Sequence, residues 1–255
     1  LVANTPADTV DVIDVASRRS VGRIPLGDDP EMFDLSPDGR TLYASNEDEG
    51  ALTVVDMDSG KRLAEIAVGK EPEGVLASPD GRWVFVSSEA ASLVHVIDAK
   101  TRKVVHNIAV GKRPRRLALT PDGRQLWVSN ELGASLSIIA VPEFKVVHTV
   151  KLELKGARAN EITPVGLLID RKGERAYVAA GRSNHVAVID VRERRVLQWI
   201  LSGKRAWNLA LNADESRLFV VNGLSDDLTF IDLAQAKALK SVPVGRVPYG
   251  VVLLD

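Results

Sequence analysis

The sequence predicts an all-β protein of the β-propeller class, built from six copies of one four-stranded unit. Three motifs recur along the chain: a Pro-Asp-Gly turn, an apolar strand that ends in aspartate, and a Gly-x-x-Pro turn. A period of about 40 to 45 residues with four short strands is typical of a propeller blade. A helical solenoid would need a periodicity of about 3.6 residues, which no segment keeps for more than a turn.

The Pro-Asp-Gly turn is expected to join the first two strands of each unit. It occurs at 37–39, 79–81 and 121–123, a step of 42 residues each time, with weaker forms at 170–173 and 213–215. The proline presets φ and the glycine accepts the left-handed conformation that the turn requires. The motif therefore predicts a tight hairpin at the same place in successive repeats.

Two further motifs close the unit. The third strand ends in an aspartate that is interpreted as a turn former, and Ala140 takes this position once. The aspartates are Asp14, Asp56, Asp98, Asp190 and Asp232. The Gly-x-x-Pro turn that opens the next unit is at 27–30, 69–72, 111–114 and 245–248, and at 203–206 the proline is replaced by alanine.

The two ends of the chain match different strands of the repeat. Residues 248–255 align with a first strand, and residues 1–4 align with a second strand. We therefore expect the C-terminal strand to complete the N-terminal blade and leave no long unpaired edge. This gives six blades in a single domain over residues 1–255.

Composition excludes several classes of function. The net charge is -1, so a nucleic-acid partner is not expected. No apolar run approaches the roughly 18 residues that a membrane span needs. The chain has 0 cysteines, which excludes disulfides, thiolate metal sites and covalent c-type haem attachment. No signal peptide is visible in this sequence.

Longer stretches resemble a known family. The segments PDGRTLYASNEDEGALTVVDMDSGKRLAEIAVGKEPEG, PDGRQLWVSNELGASLSIIAV and VNGLSDDLTFIDLAQAKALKSVPVGRVPYG resemble YVTN-type, WD40-like propeller repeats. More narrowly, they resemble the β-propeller proteins associated with pyrroloquinoline quinone (PQQ)-dependent alcohol catabolism. That resemblance implies a periplasmic or secreted, non-enzymatic protein. It also implies a quinoprotein dehydrogenase, or another periplasmic protein, as partner. Members of the family look seven-bladed, so the resemblance also implies an alternative to six blades, a seven-bladed parent from which one repeat is missing here.

The residue after the turn proline varies in a chemically directed way. In a propeller the loops at this position meet at the mouth of the central channel, so these residues are candidates for a ligand-facing ring. The alternative is that they are solvated loop residues, with the aromatic ones packed between blades. The residues are Glu31, Glu73, Arg115, Val165, Trp207 and Tyr249.

Acidic residues follow the second strand in three successive repeats. Glu47, Glu89 and Glu131 would join Glu31, Glu73, Asp28 and Asp29 in an acidic sector, and carboxylate oxygens suit Ca²⁺. No D-x-D-x-D-G loop is present, and the alternative is a solvated acidic rim. The asparagines that end the second strands, such as Asn46 and Asn130, are predicted to hydrogen-bond their own loops as Asx turns.

Basic residues gather in the matching turns of other repeats. Arg115, Arg116, Arg182 and Arg246 offer guanidinium forks that bind carboxylates in a bidentate manner. A polycarboxylate such as PQQ would fit them, with Trp207 stacked on its plane. The alternative is a polarised surface for a protein partner, because arginine, tryptophan and tyrosine are frequent hot-spot residues.

The sequence therefore favours a non-catalytic binding or scaffold protein that is accessory to quinoprotein alcohol oxidation. No catalytic residue is assigned, because no G-x-S-x-G or H-E-x-x-H motif occurs. The alternative is a metal-dependent hydrolase of lactonase type that uses Glu31, Glu73 and neighbouring carboxylates. The loop from Leu154 to Thr163 is longer than its counterparts, which is a further mild indication of function.

Overall fold

The computed structural model describes residues 1–254, and Asp255 lies outside the described part. Every regular element in that part is a β-strand, apart from three single-turn 3₁₀ segments at Thr5–Ala7, Glu131–Gly133 and Ala159–Glu161. None of the helical segments within residues 1–254 is long and apolar enough to cross a membrane.

The chain falls into two compact units, Leu1–Leu117 and the part from Ala118 onward. The strands of the first unit are β1 (Val2–Asn4), β2 (Thr9–Asp14), β3 (Arg19–Pro25), β4 (Pro30–Leu35), β5 (Thr41–Asn46), β6 (Ala51–Asp56), β7 (Arg62–Ala67), β8 (Pro72–Ala77), β9 (Trp83–Ser88), β10 (Leu93–Asp98) and β11 (Lys103–Ala109). The next strand, β12 (Pro114–Leu119), includes the boundary between the units.

The strands of the second unit follow the same order. They are β13 (Gln125–Asn130), β14 (Ser135–Ala140), β15 (Lys145–Lys151), β16 (Leu167–Ile169), β17 (Arg175–Ala179), β18 (His185–Asp190), β19 (Arg195–Leu201), β20 (Ala206–Leu211), β21 (Arg217–Asn222), β22 (Asp227–Asp232) and β23 (Lys237–Pro243).

Each sequence repeat forms one antiparallel sheet. The four-stranded sheets are β4-β5-β6-β7, β8-β9-β10-β11, β12-β13-β14-β15, β16-β17-β18-β19 and β20-β21-β22-β23, and the N-terminal sheet is β1-β2-β3. Consecutive strands are neighbours in every sheet, as in an up-and-down blade. The all-β propeller class with six blades is thereby confirmed.

The N-terminal sheet has three described strands, and residues 244–254 form no strand. The pairing of the C-terminal segment with the N-terminal blade therefore stays a prediction, as does the seven-bladed alternative. The single-domain assignment over residues 1–255 stays a prediction as well.

Burial explains why these residues form strands. The second and third strands of the inner repeats are apolar and buried along nearly their whole length, as in β9 and β10. The fourth strands are largely exposed and each begins with lysine or arginine, charges that discourage edge-to-edge association. Side chains of consecutive sheets share one core, for example Val54 with Val86 and Ile138 with Val178.

The aspartates at the ends of the third strands are turn formers, as predicted. In each case Oδ1 accepts a hydrogen bond from the backbone N–H three residues later, for example Ser17 N to Asp14 and Thr101 N to Asp98, at 2.8 and 2.7 Å. The pKa of the Asp14 carboxyl is lowered by the side chain and then by the backbone N–H of Ser17, and that of Asp98 by the backbone N–H and then by the side chain of Thr101, because hydrogen bonds stabilise the ionised form.

Candidate functional site

The residue after the turn proline lies on a β-bulge in three blades. The register between the first and second strands shifts at Glu31, at Glu73 with Gly74, and at Trp207. A bulge re-aims the side chain that it carries and leaves it outside the regular pairing. The residue at this position does not follow the alternation of side chains between the two faces of the strand. This accounts for its variation from repeat to repeat.

A serine in the second strand ties this bulge to the preceding blade. Ser45 Oγ donates to the carbonyl oxygen of Glu73 at 2.8 Å, Ser87 Oγ to that of Arg115 at 2.7 Å, and Ser129 Oγ to that of Val165 at 2.7 Å. The three serines are buried. They fix the backbone of each successive candidate residue, and sequence reasoning missed them although they recur every 42 residues.

The first unit contains a buried network of two carboxylates and two guanidiniums. Glu73, Glu89, Arg115 and Arg116 are 1%, 3%, 7% and 5% exposed. Arg115 Nη1 is 3.0 Å from Glu73 Oε2 and also contacts Glu89 Oε1, while Arg116 Nη1 contacts Glu73 Oε1. At the edge of the network, Arg113 Nε is 2.6 Å from Glu89 Oε2.

This network pairs residues that the sequence assigned to opposite sectors. The predicted acidic residues Glu73 and Glu89 neutralise the predicted basic residues Arg115 and Arg116. Ionised groups are almost never fully buried unless they are paired. Both guanidiniums therefore have internal carboxylate partners, and their role in binding a ligand stays a prediction.

A second cluster of carboxylates lies beside the network. Asp29, Glu31 and Glu47 are half-buried, and each offers a carboxylate oxygen within 4.8 Å of the others. Within residues 1–254 this is the group of acidic side chains whose geometry suits a metal ion. All three residues belong to the predicted acidic sector, and the cluster does not include Glu89 or Glu131.

The pKa of Glu47 is raised to about 7, mainly because the carboxyl is desolvated by burial and to a smaller extent because of the negative charges of Glu31, Glu73, Glu89 and Asp29. Burial likewise raises the pKa of Asp29, with smaller contributions from neighbouring carboxylates. The cluster therefore holds a proton near neutral pH, and a divalent cation would relieve the same repulsion.

Glu131 lies in the second unit, where it begins the 3₁₀ turn that follows β13. The asparagine that precedes it contradicts the Asx-turn prediction. Asn130 Nδ2 donates to Ser137 Oγ in the third strand at 3.0 Å, and Asn46 and Asn222 reach Thr53 and Thr229 in the same way. Each asparagine is still paired in its strand, so its side chain points across the sheet rather than into the loop.

The aromatic residues of the predicted ring meet in the second unit. Trp207 is 6% exposed, and its ring centroid is 5.8 Å from that of Tyr249, which is 41% exposed. The Arg205 guanidinium lies over the Trp207 ring, 4.3 Å from its centroid. Trp207 also packs against Val165 and Val221, which agrees with the alternative that it fills space between strands.

A cavity of about 290 Å³ lies next to this aromatic pair. Arg246 lines it, together with apolar side chains that include Val221, Leu228 and Val251. No carboxylate in the described part of the chain forms an ion pair with Arg246 or Arg205. The aromatic–basic cluster, defined as Arg205, Trp207, Arg246 and Tyr249, is therefore an open cationic site.

Arg182 is exposed and follows a residue that pairs with the start of β20, the strand that carries Trp207. Its backbone N–H donates to Thr163 Oγ1 at 2.9 Å, and the preceding Gly181 forms a bridge to Ala206. Sequence-predicted residues therefore occur in an ion-paired group in the first unit and in an aromatic–basic group in the second, whose arginines form no ion pair within residues 1–254.

Comparisons with known proteins agree with the fold. The chain is similar in structure to hydrazine synthase from Kuenenia stuttgartiensis, with 19% identity, a TM-score of 0.63 and 91% of each chain covered. At this identity the likeness shows the fold alone. No curated protein matches the chain.

The family model described as the cytochrome D1 heme domain matches the chain twice, over residues 2–116 and 46–165. The two matched stretches overlap and together cover residues 2–165, more than half of the 255 residues. The chain therefore belongs to the cytochrome D1 heme domain family.

Proposed function

We propose that this protein is a non-catalytic binding propeller that takes a carboxylate-bearing small molecule at the aromatic–basic cluster. One observation carries the proposal: the Arg246 guanidinium lines an apolar cavity of about 290 Å³ and has no carboxylate partner within residues 1–254. Ligand sites are typically concave, largely apolar and equipped with a few orienting polar groups. Arginine binds carboxylates with two parallel hydrogen bonds.

The ion pairs of the first unit support this choice of site. Arg115 and Arg116 are neutralised by Glu73 and Glu89, so a ligand would have to displace buried carboxylates to reach them. A ligand would reach Arg246 and Arg205 without displacing a carboxylate from an ion pair. We therefore assign ligand contact to Arg246, Arg205 and Tyr249, and a scaffold role to Arg115 and Arg116.

PQQ is the ligand that we test first. It carries three carboxylates on a planar ring system, which suits guanidinium forks beside an aromatic side chain. The sequence resemblance to propellers of PQQ-dependent alcohol catabolism supports the same choice. It also supports a periplasmic or secreted location and an accessory role beside a quinoprotein dehydrogenase.

The four histidines of this chain are not arranged as axial ligands of a haem, although the family description names one. Haem iron takes an axial histidine, cysteine, methionine or tyrosine. His95 is buried, its Nδ1 is 2.6 Å from Asn107 Oδ1, and its Nε2 faces the backbone of Gly69. His106 and His148 lie exposed on outer strands, and His185 packs against Trp199. We therefore assign no haem to this chain.

The test is a thermal-shift titration with PQQ. A ligand that binds only the folded state stabilises it by about 2.7 kcal/mol at a hundred times its Kd. We expect PQQ to raise the midpoint, and Arg246→Ala to remove most of that shift. Arg192→Ala is the matched control, because Arg192 is an exposed arginine outside the cavity. An unchanged shift in Arg246→Ala would exclude this site.

A metal-dependent hydrolase of lactonase type is the second candidate. The observation that favours it is the cluster of Asp29, Glu31 and Glu47, with a pKa of about 7 at Glu47. A group that titrates near neutral pH suits general acid–base catalysis, and three carboxylates suit Ca²⁺. This candidate predicts Ca²⁺-dependent turnover of a lactone panel that a chelator and Glu47→Gln both abolish. No turnover with Ca²⁺ would remove it.

A further inference from the structure

One repeat departs from the others on its outer face. In five blades the middle of the third strand and its cross-strand partner on the outer strand carry polar or charged side chains. The pairs are Asp11 and Arg23, Thr53 and Glu65, His95 and Asn107, Ser137 and Thr149, and Thr229 and Ser241. In the remaining blade the pair is Ala187 and Trp199.

Trp199 is next to the only long insertion between successive third strands. The step from Ala140 to Asp190 is 50 residues, against 42 elsewhere, so the connection carries eight additional residues. Trp199 Nε1 donates to the carbonyl oxygen of Glu153 at 3.1 Å, at the start of this connection. The tryptophan therefore anchors the inserted loop, and the two departures from the repeat belong to one local specialisation.

The anchored loop creates open space on the outer side of the second unit. A cavity of about 520 Å³ is lined by Leu152, Leu154, Ala157 and Ile162 together with charged loop residues. A groove of about 400 Å³ continues past Glu153, which lines both spaces. The apolar side chains of the loop therefore line a space next to the end of β15.

The groove is cationic. Lys151, Arg194 and Arg195 line it, against the single carboxylate of Glu153, and His148 lies in the same wall. None of these three cations forms an ion pair within residues 1–254. The chain as a whole has a net charge of -1, so this positive charge is a local feature.

The groove also borders a free sheet edge. β15 is the outermost strand of its sheet, so one edge pairs with β14 and the other carries no described strand. Its seven residues are exposed apart from Val150, and none is acidic. A free edge accepts an extended peptide through main-chain hydrogen bonds, and the flanking side chains give the selectivity.

We propose that the groove of β15, Arg194 and Arg195 is a docking surface for an extended acidic segment of a partner protein. The segment adds to the edge of β15, and its carboxylates meet Lys151, Arg194 and Arg195. Charge complementarity selects the partner: a basic segment would be repelled, and a neutral one would leave three cations without counter-charge.

The test uses fluorescein-labelled heptapeptides and fluorescence anisotropy with the full chain. The probe is Glu-Thr-Glu-Val-Glu-Thr-Glu, which alternates carboxylates along one face of a strand. We expect saturable binding that weakens as salt is added. The same peptide with lysine for glutamate should not bind. A peptide with proline in place of the central valine should bind much more weakly, because proline removes a main-chain donor.

Protein variants test the groove. Lys151→Glu with Arg195→Glu should raise the probe's Kd by about tenfold or more, since each 1.4 kcal/mol of lost interaction is tenfold. Arg192→Glu reverses one charge outside the groove and should leave the Kd unchanged, and it is compared with Arg195→Glu alone, which makes the same change of charge inside the groove. Circular dichroism of each variant confirms folding.

Three results would overturn the proposal. The first is an absence of saturable binding, and the second is equal affinity in the groove and control variants. The third is binding to phosphatidylserine vesicles, sensitive to the groove variant, without binding to the acidic peptide. That last result would assign the cations to a membrane surface instead.

Discussion

Glu73 is the residue whose removal tests the buried ion-pair network most directly. Its side chain is 1% exposed and contacts the guanidiniums of both Arg115 and Arg116. The change Glu73→Gln keeps the shape of the side chain and removes its charge. Arg115 retains Glu89 as a partner, whereas Arg116 loses the charge of the carboxylate that its guanidinium contacts.

The expected cost follows from that geometry. Removing one partner of a buried ion pair destabilises a protein by about 3–5 kcal/mol, because the remaining charge stays desolvated. For a chain of this size, each kcal/mol shifts the melting temperature by about 2–4 °C. We therefore expect Glu73→Gln to lower the melting temperature by roughly 6–20 °C.

The assay is urea unfolding followed by tryptophan fluorescence, with the slope m checked for each variant so that midpoints are comparable. Arg116→Met removes the guanidinium that contacts Glu73 and keeps most of the side-chain volume. We expect the double variant Glu73→Gln with Arg116→Met to lose less stability than the two single variants lose in total. The difference should be about 0.5–3 kcal/mol.

An exposed ion pair provides the matched control. Arg62 Nη1 is 2.8 Å from Glu65 Oε2 on the outer strand β7, and both side chains are 40% or more exposed. Glu65→Gln should change stability by no more than about 1 kcal/mol. A Glu73→Gln variant as stable as Glu65→Gln, or strictly additive losses in the double variant, would refute the interpretation of the network as a coupled buried unit.

Three further predictions concern titration and close packing. The raised pKa of Glu47, about 7, means that the folded state binds its proton more tightly than the unfolded chain does. Stability should therefore fall as pH rises from about 4.5 to 7, and melting curves of Glu47→Gln should lack this loss. Burial lowers the pKa of His95, so stability should fall as pH decreases below about 6.5. The double variant Ser88→Asn with His95→Thr copies the neighbouring repeats and should lose less stability than the parent when the pH falls below about 6.5. An unchanged loss of stability at low pH would exclude His95 as its cause. A Cβ on Gly74 would overlap the carbonyl oxygen of Arg115, so Gly74→Ala should cost about 1–3 kcal/mol in urea unfolding. Gly22→Ala, whose Cβ would meet only ordinary contacts, should change stability by less, and equal losses would contradict the packing argument.

The sequence predicted those features that depend on neighbouring residues. The Pro-Asp-Gly turns, the aspartate turns and the four strands per period follow from local backbone preferences and from apolar patterning. For this reason they recur every 42 residues and are recognisable in each copy. The variable position was predictable too. A comparison of the repeats shows that the residue type changes at the position of Glu73, Arg115 and Trp207, whereas other positions keep one residue type in most repeats.

The partners of those side chains were decided by tertiary structure. Sequence patterning assigned Glu73 and Glu89 to an acidic sector and Arg115 and Arg116 to a basic one. Folding places them in one buried network. Glu73 and Arg116 are 43 residues apart, so no local rule relates them. The β-bulge and the bond from Ser87 to Arg115 bring successive repeats into register, and desolvation then requires each buried charge to have an opposite partner.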